Sequence, residues 1–177
     1  MSRSIIIALV AIIGVYWIYE RINSSDTDQE TETTTRTFGP TVAPDFAHES
    51  LSGEVFNLEE QRGKVVLLNF WATWCTPCWE EMPMLVSLQD ELREAGFLIV
   101  GISVDEEGPD IVRKFVDDFN FNYEILHDDI GLASKYGAEF AVPTSIIIDK
   151  TGYIRHRIIG LIDESELKPV VVDLLNE

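Results

Sequence analysis

Val65-Val66-Leu67-Leu68-Asn69-Phe70-Trp71-Ala72-Thr73-Trp74-Cys75-Thr76-Pro77-Cys78 is the stretch around which the chain is organised. It opens on a short apolar run, as expected of a strand buried on both faces. It closes on the only two cysteines of the chain, two residues apart, where a segment of helical spacing begins. A thiol at such a junction meets the free N–H groups and positive dipole end of a helix, which stabilise a thiolate at Cys75. Cys78, one turn on, is close enough to close a small disulfide with it. The pair is either redox-active or a lone stabilising bridge. A ring that small restricts little of the unfolded chain, which favours the redox reading.

Working outward, Met82, Leu85, Val86, Gln89 and Leu92 recur at helical intervals up to Gly96, with Pro83 expected to kink the helix. Residues 97–104 read as a second buried strand. Pro109 opens a helix with Ile111, Val112, Phe115, Val116 and Phe119 on one face. A short strand at 123–126 and a short helix at 130–136 follow. Residues 145–149 and 153–159, joined by Lys150-Thr151-Gly152, read as a hairpin. Residues 163–175 close the chain as a helix with Leu167, Val171 and Leu174 inward and Pro169 in its first half. Upstream, Ala43-Pro44-Asp45-Phe46 and Glu54-Val55-Phe56-Asn57-Leu58 flank Ser52-Gly53 as a small hairpin. This order predicts an α/β fold with a mixed central sheet, in which the strands at 65 and 97 form a right-handed parallel unit.

The remaining composition places and limits the function. Thirteen Lys and Arg stand against thirty-one Asp and Glu, a formal charge of −18 that repels phosphate backbones and argues against nucleic-acid binding. Two cysteines and three scattered histidines, His48, His127 and His156, do not make the four ligands of a zinc site; the histidines read as surface or loop residues. Residues 5–19 carry no charge and end in Tyr16, Trp17 and Tyr19. As a helix, that core spans roughly 22 Å, and roughly 28 Å with flanks from Ser4 to Ile22, against a hydrocarbon layer of ~30 Å. The aromatics stand where a cleaved signal peptide would carry small residues, so 1–22 is read as an uncleaved signal anchor, with the remainder of the chain outside. Residues 23–37 are polar and free of apolar side chains, the composition of a flexible tether. The folded domain is expected over 38–177.

Ala43-Pro44-Asp45-Phe46, the run from Gly63 to Cys78, Glu81-Met82-Pro83 and Val142-Pro143-Thr144 together resemble the TlpA/ResA-like branch of the thioredoxin superfamily, over roughly residues 40–175. The resemblance implies a thioredoxin fold with an N-terminal β-hairpin and a central αβ insertion at 105–126, preceded by a single membrane-anchor helix. It implies a thiol–disulfide oxidoreductase on the outer side of a membrane, without cofactor or metal. Its partners would be protein thiols and disulfides, among them apocytochrome haem-binding cysteines or copper-site proteins, with an upstream thiol electron donor.

Residue by residue, Cys75 is the candidate nucleophile and Cys78 the resolving thiol, and Thr76-Pro77 fill the positions that tune the redox pair. Trp74 is expected beside the thiols as contact and shield, while Trp71 divides between that role and core packing. Asn69 departs from ordinary thioredoxins, where a buried Asp handles protons. Glu81, three residues after Cys78 on the same helical face, is the replacement candidate, with a surface helix glutamate as its alternative. Pro143 matches the cis-proline beside the disulfide, leaving Val142 to offer its backbone to an extended partner. Two rival functions lack their residues. A Sco-like copper module spaces its cysteines by three residues and needs a distal His, for which His127 is nearest. A thiol peroxidase of the redoxin group wants a Thr three before its Cys, where Ala72 stands.

Overall fold

The apolar run becomes β4, Val65–Trp71, buried at all seven positions. In the computed structural model, which describes residues 41–128 and 131–177, β4 lies at the centre of a six-stranded sheet. The anchor and tether read at 1–37, the domain start at 38 and Ile130 lie outside the described residues. Among the described residues no helix is long and apolar enough to cross a membrane.

In chain order the elements are β1 (Thr41–Val42), β2 (Ala47–Glu49), β3 (Val55–Asn57), β4, α1 (Thr76–Leu92), β5 (Phe97–Ser103), α2 (Pro109–Phe119), β6 (Glu124–His127), α3 (Leu132–Lys135), β7 (Thr144–Ile148), β8 (Tyr153–Ile159) and α4 (Glu164–Asn176). The sheet order is β1-β8-β7-β4-β5-β6. β4 runs parallel to β5, and β5 to β6, while β7 and β8 are antiparallel to their neighbours. The mixed α/β sheet expected from the sequence is thus present. β2 and β3 pair as a separate hairpin. Its first strand is Ala47–Glu49, after the Ala43-Pro44-Asp45-Phe46 stretch, since Pro44 offers no N–H to a ladder.

Alternation along β4 divides the core into layers. Val66, Leu68 and Phe70 point to the layer of Phe46, Phe56, Leu58, Leu132 and Tyr136. Val65 and Leu67 point to Leu85, Leu88 and Leu92 of α1 and to Leu167, Val171 and Leu174 of α4. Each such side chain withdrawn from water contributes about 1.5–3 kcal/mol before the entropy of ordering is charged against it. By the same parity Asn69 and Trp71 face α1. Asn69 therefore brings a polar group into that layer, where it meets Glu81 of α1.

Several boundaries differ from the sequence reading. β6 begins one residue later than expected, and α3 starts at Leu132. As expected, Pro83 lies inside α1 and Pro169 inside α4. Within α1, Leu88 is buried where Val86 was expected, because the inward face follows Cys78, Glu81, Met82, Leu85, Leu88, Gln89 and Leu92. Gln89 is buried at no cost in unmade bonds, since it donates to the Phe97 carbonyl and accepts from the Ile99 N–H.

The insertion between β5 and β6 packs an aromatic face onto the sheet. Phe115 of α2 lies 5.3 Å from Trp71 and 5.8 Å from Trp79, ring centre to ring centre, and stacks on Phe119 at 4.5 Å. Trp71 is thereby a core residue. Gly101 of β5 makes room for it: a Cβ there would stand 2.7 Å from Ile125 Cδ1 and 3.1 Å from the Trp71 indole nitrogen. Gly101→Ala is accordingly expected to destabilise the chain by about 1–3 kcal/mol, read as a lower denaturant midpoint with an unchanged slope.

Candidate active site

Cys75 is the N-cap of α1. Its extended backbone turns the chain from β4 into the helix, and its Sγ accepts a hydrogen bond from the Cys78 N–H at 3.3 Å. Pro77, in the first turn, has the φ that the turn needs, and its missing N–H is one the helix start would not have paired within the helix. Cys75 and Cys78 are joined as a disulfide with their Cα atoms 5.3 Å apart. Cys75 is 4% exposed and Cys78 fully buried, so the little surface the pair has belongs to Cys75. Both sulfurs sit in an apolar cluster with Trp71, Ala72 and Met82, against which Val142 packs.

The Val142–Pro143 peptide is cis, as the resemblance implied. The loop carrying it is pinned on both sides. The Thr144 hydroxyl donates to the Ala141 carbonyl at 2.7 Å, and the Gly160 N–H donates to the Pro143 carbonyl at 2.8 Å. Gly160 has φ +93°, a left-handed conformation that turns the chain from β8 toward Glu81. Trp74 is 63% exposed beside Cys75 in the chain, and Phe140 is 91% exposed, two residues before Val142.

Glu81 is buried, 2% exposed; the surface alternative is removed. Its Oε1 accepts from Asn69 Nδ2 at 2.8 Å and its Oε2 from the Ile162 N–H at 3.2 Å. Asn69 Nδ2 also donates to Ser145 Oγ at 3.0 Å, across the antiparallel register that sets Asn69 opposite Ser145. Burial raises the Glu81 pKa from 4.5 to about 7, against the opposing pull of the Asn69 and Ile162 hydrogen bonds. The Tyr123 phenol is pushed well above its usual value, first by burial and then by the Glu81 charge.

A second buried carboxylate escaped the sequence reading. Asp105, just beyond β5, accepts from the Thr73 N–H at 3.0 and 3.1 Å, from the Thr73 hydroxyl at 2.6 Å and from the Ser103 hydroxyl at 2.7 Å. The Thr73 carbonyl in turn accepts from the Trp79 indole N–H at 3.0 Å. The available signal was weak: a Ser-Val-Asp at the carboxyl end of a parallel strand, the edge where such sheets gather their sites. His127, the histidine singled out for a copper site, donates from Nε2 to the Asp105 carbonyl at 2.8 Å. Among the described residues no group of three or more His, Cys, Asp or Glu is placed to hold a metal ion.

Comparison with known proteins agrees with this geometry. Thioredoxin-like protein YneN of Bacillus subtilis is 38% identical over 71% of this chain and 74% of its own length. Thiol-disulfide oxidoreductase ResA of Geobacillus kaustophilus is 35% identical over 95% of this chain and 91% of its own. The crystal structure of a thiol:disulfide interchange protein of the thioredoxin family from Chlorobium tepidum superposes with a TM-score of 0.71 at 29% identity, over 78% of this chain and 98% of that one. Fold and site are those of a thiol–disulfide oxidoreductase of the thioredoxin-like class. Residues 41–157 match the AhpC/TSA family, and the chain belongs to it.

The raised Glu81 pKa has a consequence for stability. The folded chain holds this proton more tightly than the unfolded chain, so the contribution is full below pH 4.5 and lost as pH rises through about 7. It is on the order of 3 kcal/mol across that window. Oxidised Glu81→Gln chain is expected to lose this component of the pH dependence. The check is chemical unfolding at pH 5 and pH 8, with wild type losing more stability between them than the variant.

Proposed function

We propose that the chain is a membrane-tethered, extracytoplasmic oxidoreductase that reduces disulfides in exported proteins. The observation that supports it most is the asymmetry of the pair, with Cys75 at the helix N-terminus and at the surface edge, and Cys78 buried behind it. The Cys75 thiolate attacks one sulfur of the partner's disulfide, and the partner's other sulfur leaves as a thiolate that takes up a proton. Cys78, losing its proton, then attacks Cys75 Sγ. The Cys75–Cys78 disulfide forms, and the partner leaves with both sulfurs as thiols. Two electrons have passed from this chain to the partner, and an upstream thiol donor returns them.

Glu81 serves as the proton carrier for the second step. It lies three residues from Cys78 on the buried face of α1, and a pKa of about 7 lets it exchange a proton near neutrality. Thr76 and Pro77 tune the pair through the first turn of α1. The partner's chain lies across Trp74 and the Val142-Pro143 loop in extended form, bonded to the Val142 backbone. Partners of the kind the family resemblance implies are apocytochrome c or copper-site proteins with paired cysteines. The rival activities have less support: His127 is engaged by the Asp105 carbonyl, and the hydroxyl nearest upstream of Cys75, that of Thr73, is turned to Asp105.

In cells, Cys78→Ser is expected to accumulate mixed disulfides with partners, and Cys75→Ser to accumulate none. Non-reducing electrophoresis followed by partner identification reads this out, and equal trapping by both variants contradicts the roles. The tether is tested separately: the full chain is expected in the membrane fraction and a chain starting at residue 38 in the soluble fraction.

A further inference from the structure

We infer that Asp105 is a positioning residue for the dithiol, acting through Thr73 to hold Cys75 over the N-terminus of α1. The inference rests on the reading of Cys75 as the attacking sulfur.

The loop from β4 to α1 is four residues of backbone with no ladder of its own, held by a short series of hydrogen bonds. The Trp71 carbonyl accepts from the Val104 N–H at 2.9 Å, and the Ala72 carbonyl from the Cys75 N–H at 3.1 Å. Thr73 then spends its N–H and hydroxyl on Asp105 and its carbonyl on Trp79. Thr73 thus joins two bodies, the carboxyl end of β5 and the first turn of α1, two residues before the sulfur. Asp105 is itself fixed. Its N–H donates to Ser103 Oγ at 3.2 Å, its carbonyl accepts from His127, and the Ser103 carbonyl accepts from the Asp128 N–H at 2.8 Å. Ser103 stands in register with Trp71 on one side and His127 on the other. The sheet edge from β6 through β5 therefore supplies a rigid anchor, and Asp105 passes it to the loop.

A carboxylate is well suited to that place. It is 2% exposed, and three donors converge on its two oxygens, bonds that are stronger for a charged acceptor. Residues whose geometry must be held to within about half an ångström need supports of this kind behind them. A slack loop would let the Cys75 sulfur leave the helix N-terminus, and the thiolate would lose the stabilisation that lowers its pKa. The position also fixes a sign. The Asp105 charge acting alone through space would disfavour a thiolate, so removing it would lower the thiol pKa, whereas losing the clamp raises it. Glu81 on the buried face of α1, Tyr123 before β6 and His127 on β6 are further ionisable groups packed near here, and none of them is substituted in these variants.

The experiment measures the pH dependence of Cys75 alkylation in the reduced full-length chain, with peptide mapping to identify the modified sulfur, alongside unfolding midpoints. Thr73→Val, Asp105→Asn and Thr73→Ser are compared with wild type. Thr73→Val and Asp105→Asn are each expected to raise the Cys75 thiol pKa by about one unit, read as a shift of the alkylation midpoint to higher pH. The double variant is expected to go no further than either, and Thr73→Ser, which keeps the hydroxyl donor, to restore the wild-type profile. A lowered pKa in Asp105→Asn overturns the inference in favour of a through-space charge. Lower unfolding midpoints with unshifted thiol profiles overturn it in favour of a purely structural role. Alkylation of Cys78 ahead of Cys75 in wild type instead refutes the underlying assignment of the attacking sulfur.

Discussion

A single sulfur at the mouth of a helix is the constraint on which the rest of this structure depends. Cys75 must end a buried strand, turn the chain and cap α1 within a few residues. Each neighbouring feature serves that requirement. β4 is buried on both faces, so its carboxyl end is fixed by the whole sheet. Pro77 shapes the first turn. The aromatic side of the insertion packs on Trp71 and Trp79, on either side of the loop in the chain. The result is a disulfide with one sulfur at the edge and the other sealed.

Two buried carboxylates flank this point and do different things. Glu81 is buried, and that burial raises its pKa to about 7 against the opposing pull of an amide and a backbone N–H. Asp105 is surrounded by hydroxyl and amide donors that tie it to the loop. The first sits where a proton exchanges near neutrality, and the second sits where it bonds the loop before Cys75. Asn69 accounts for part of the division. It stands on β4 facing α1, where an acid would repel Glu81 in a buried layer; an amide there supplies a donor and lets Glu81 remain the one carboxylate of that contact.

Much of this was legible in the sequence because it is local or periodic. The apolar run, the cysteine spacing, the helical face of α1 and the final hairpin are patterns of nearest neighbours. The placement of Glu81 also followed from counting along one helix. What escaped was long-range. Nothing in residues 103–105 announces a bond to Thr73, about thirty positions away, and the Ile162 N–H that holds Glu81 is a backbone group with no sequence signature. Ser145 reaches Asn69 only through strand register. The small hairpin was displaced by a few residues because Ala43-Pro44-Asp45-Phe46 is apolar enough to suggest a strand, yet Pro44 cannot join a ladder. There Phe46 is used as core and the pairing falls to Ala47–Glu49.

The order in which the two thiols react tests the account most directly. The reduced wild-type chain would be given substoichiometric iodoacetamide at pH 7, and the labelled peptide identified by mass spectrometry. The structure predicts that Cys75 is alkylated first and that Cys78 remains protected until the chain is unfolded. Equal labelling of the two, or Cys78 ahead of Cys75, would contradict it.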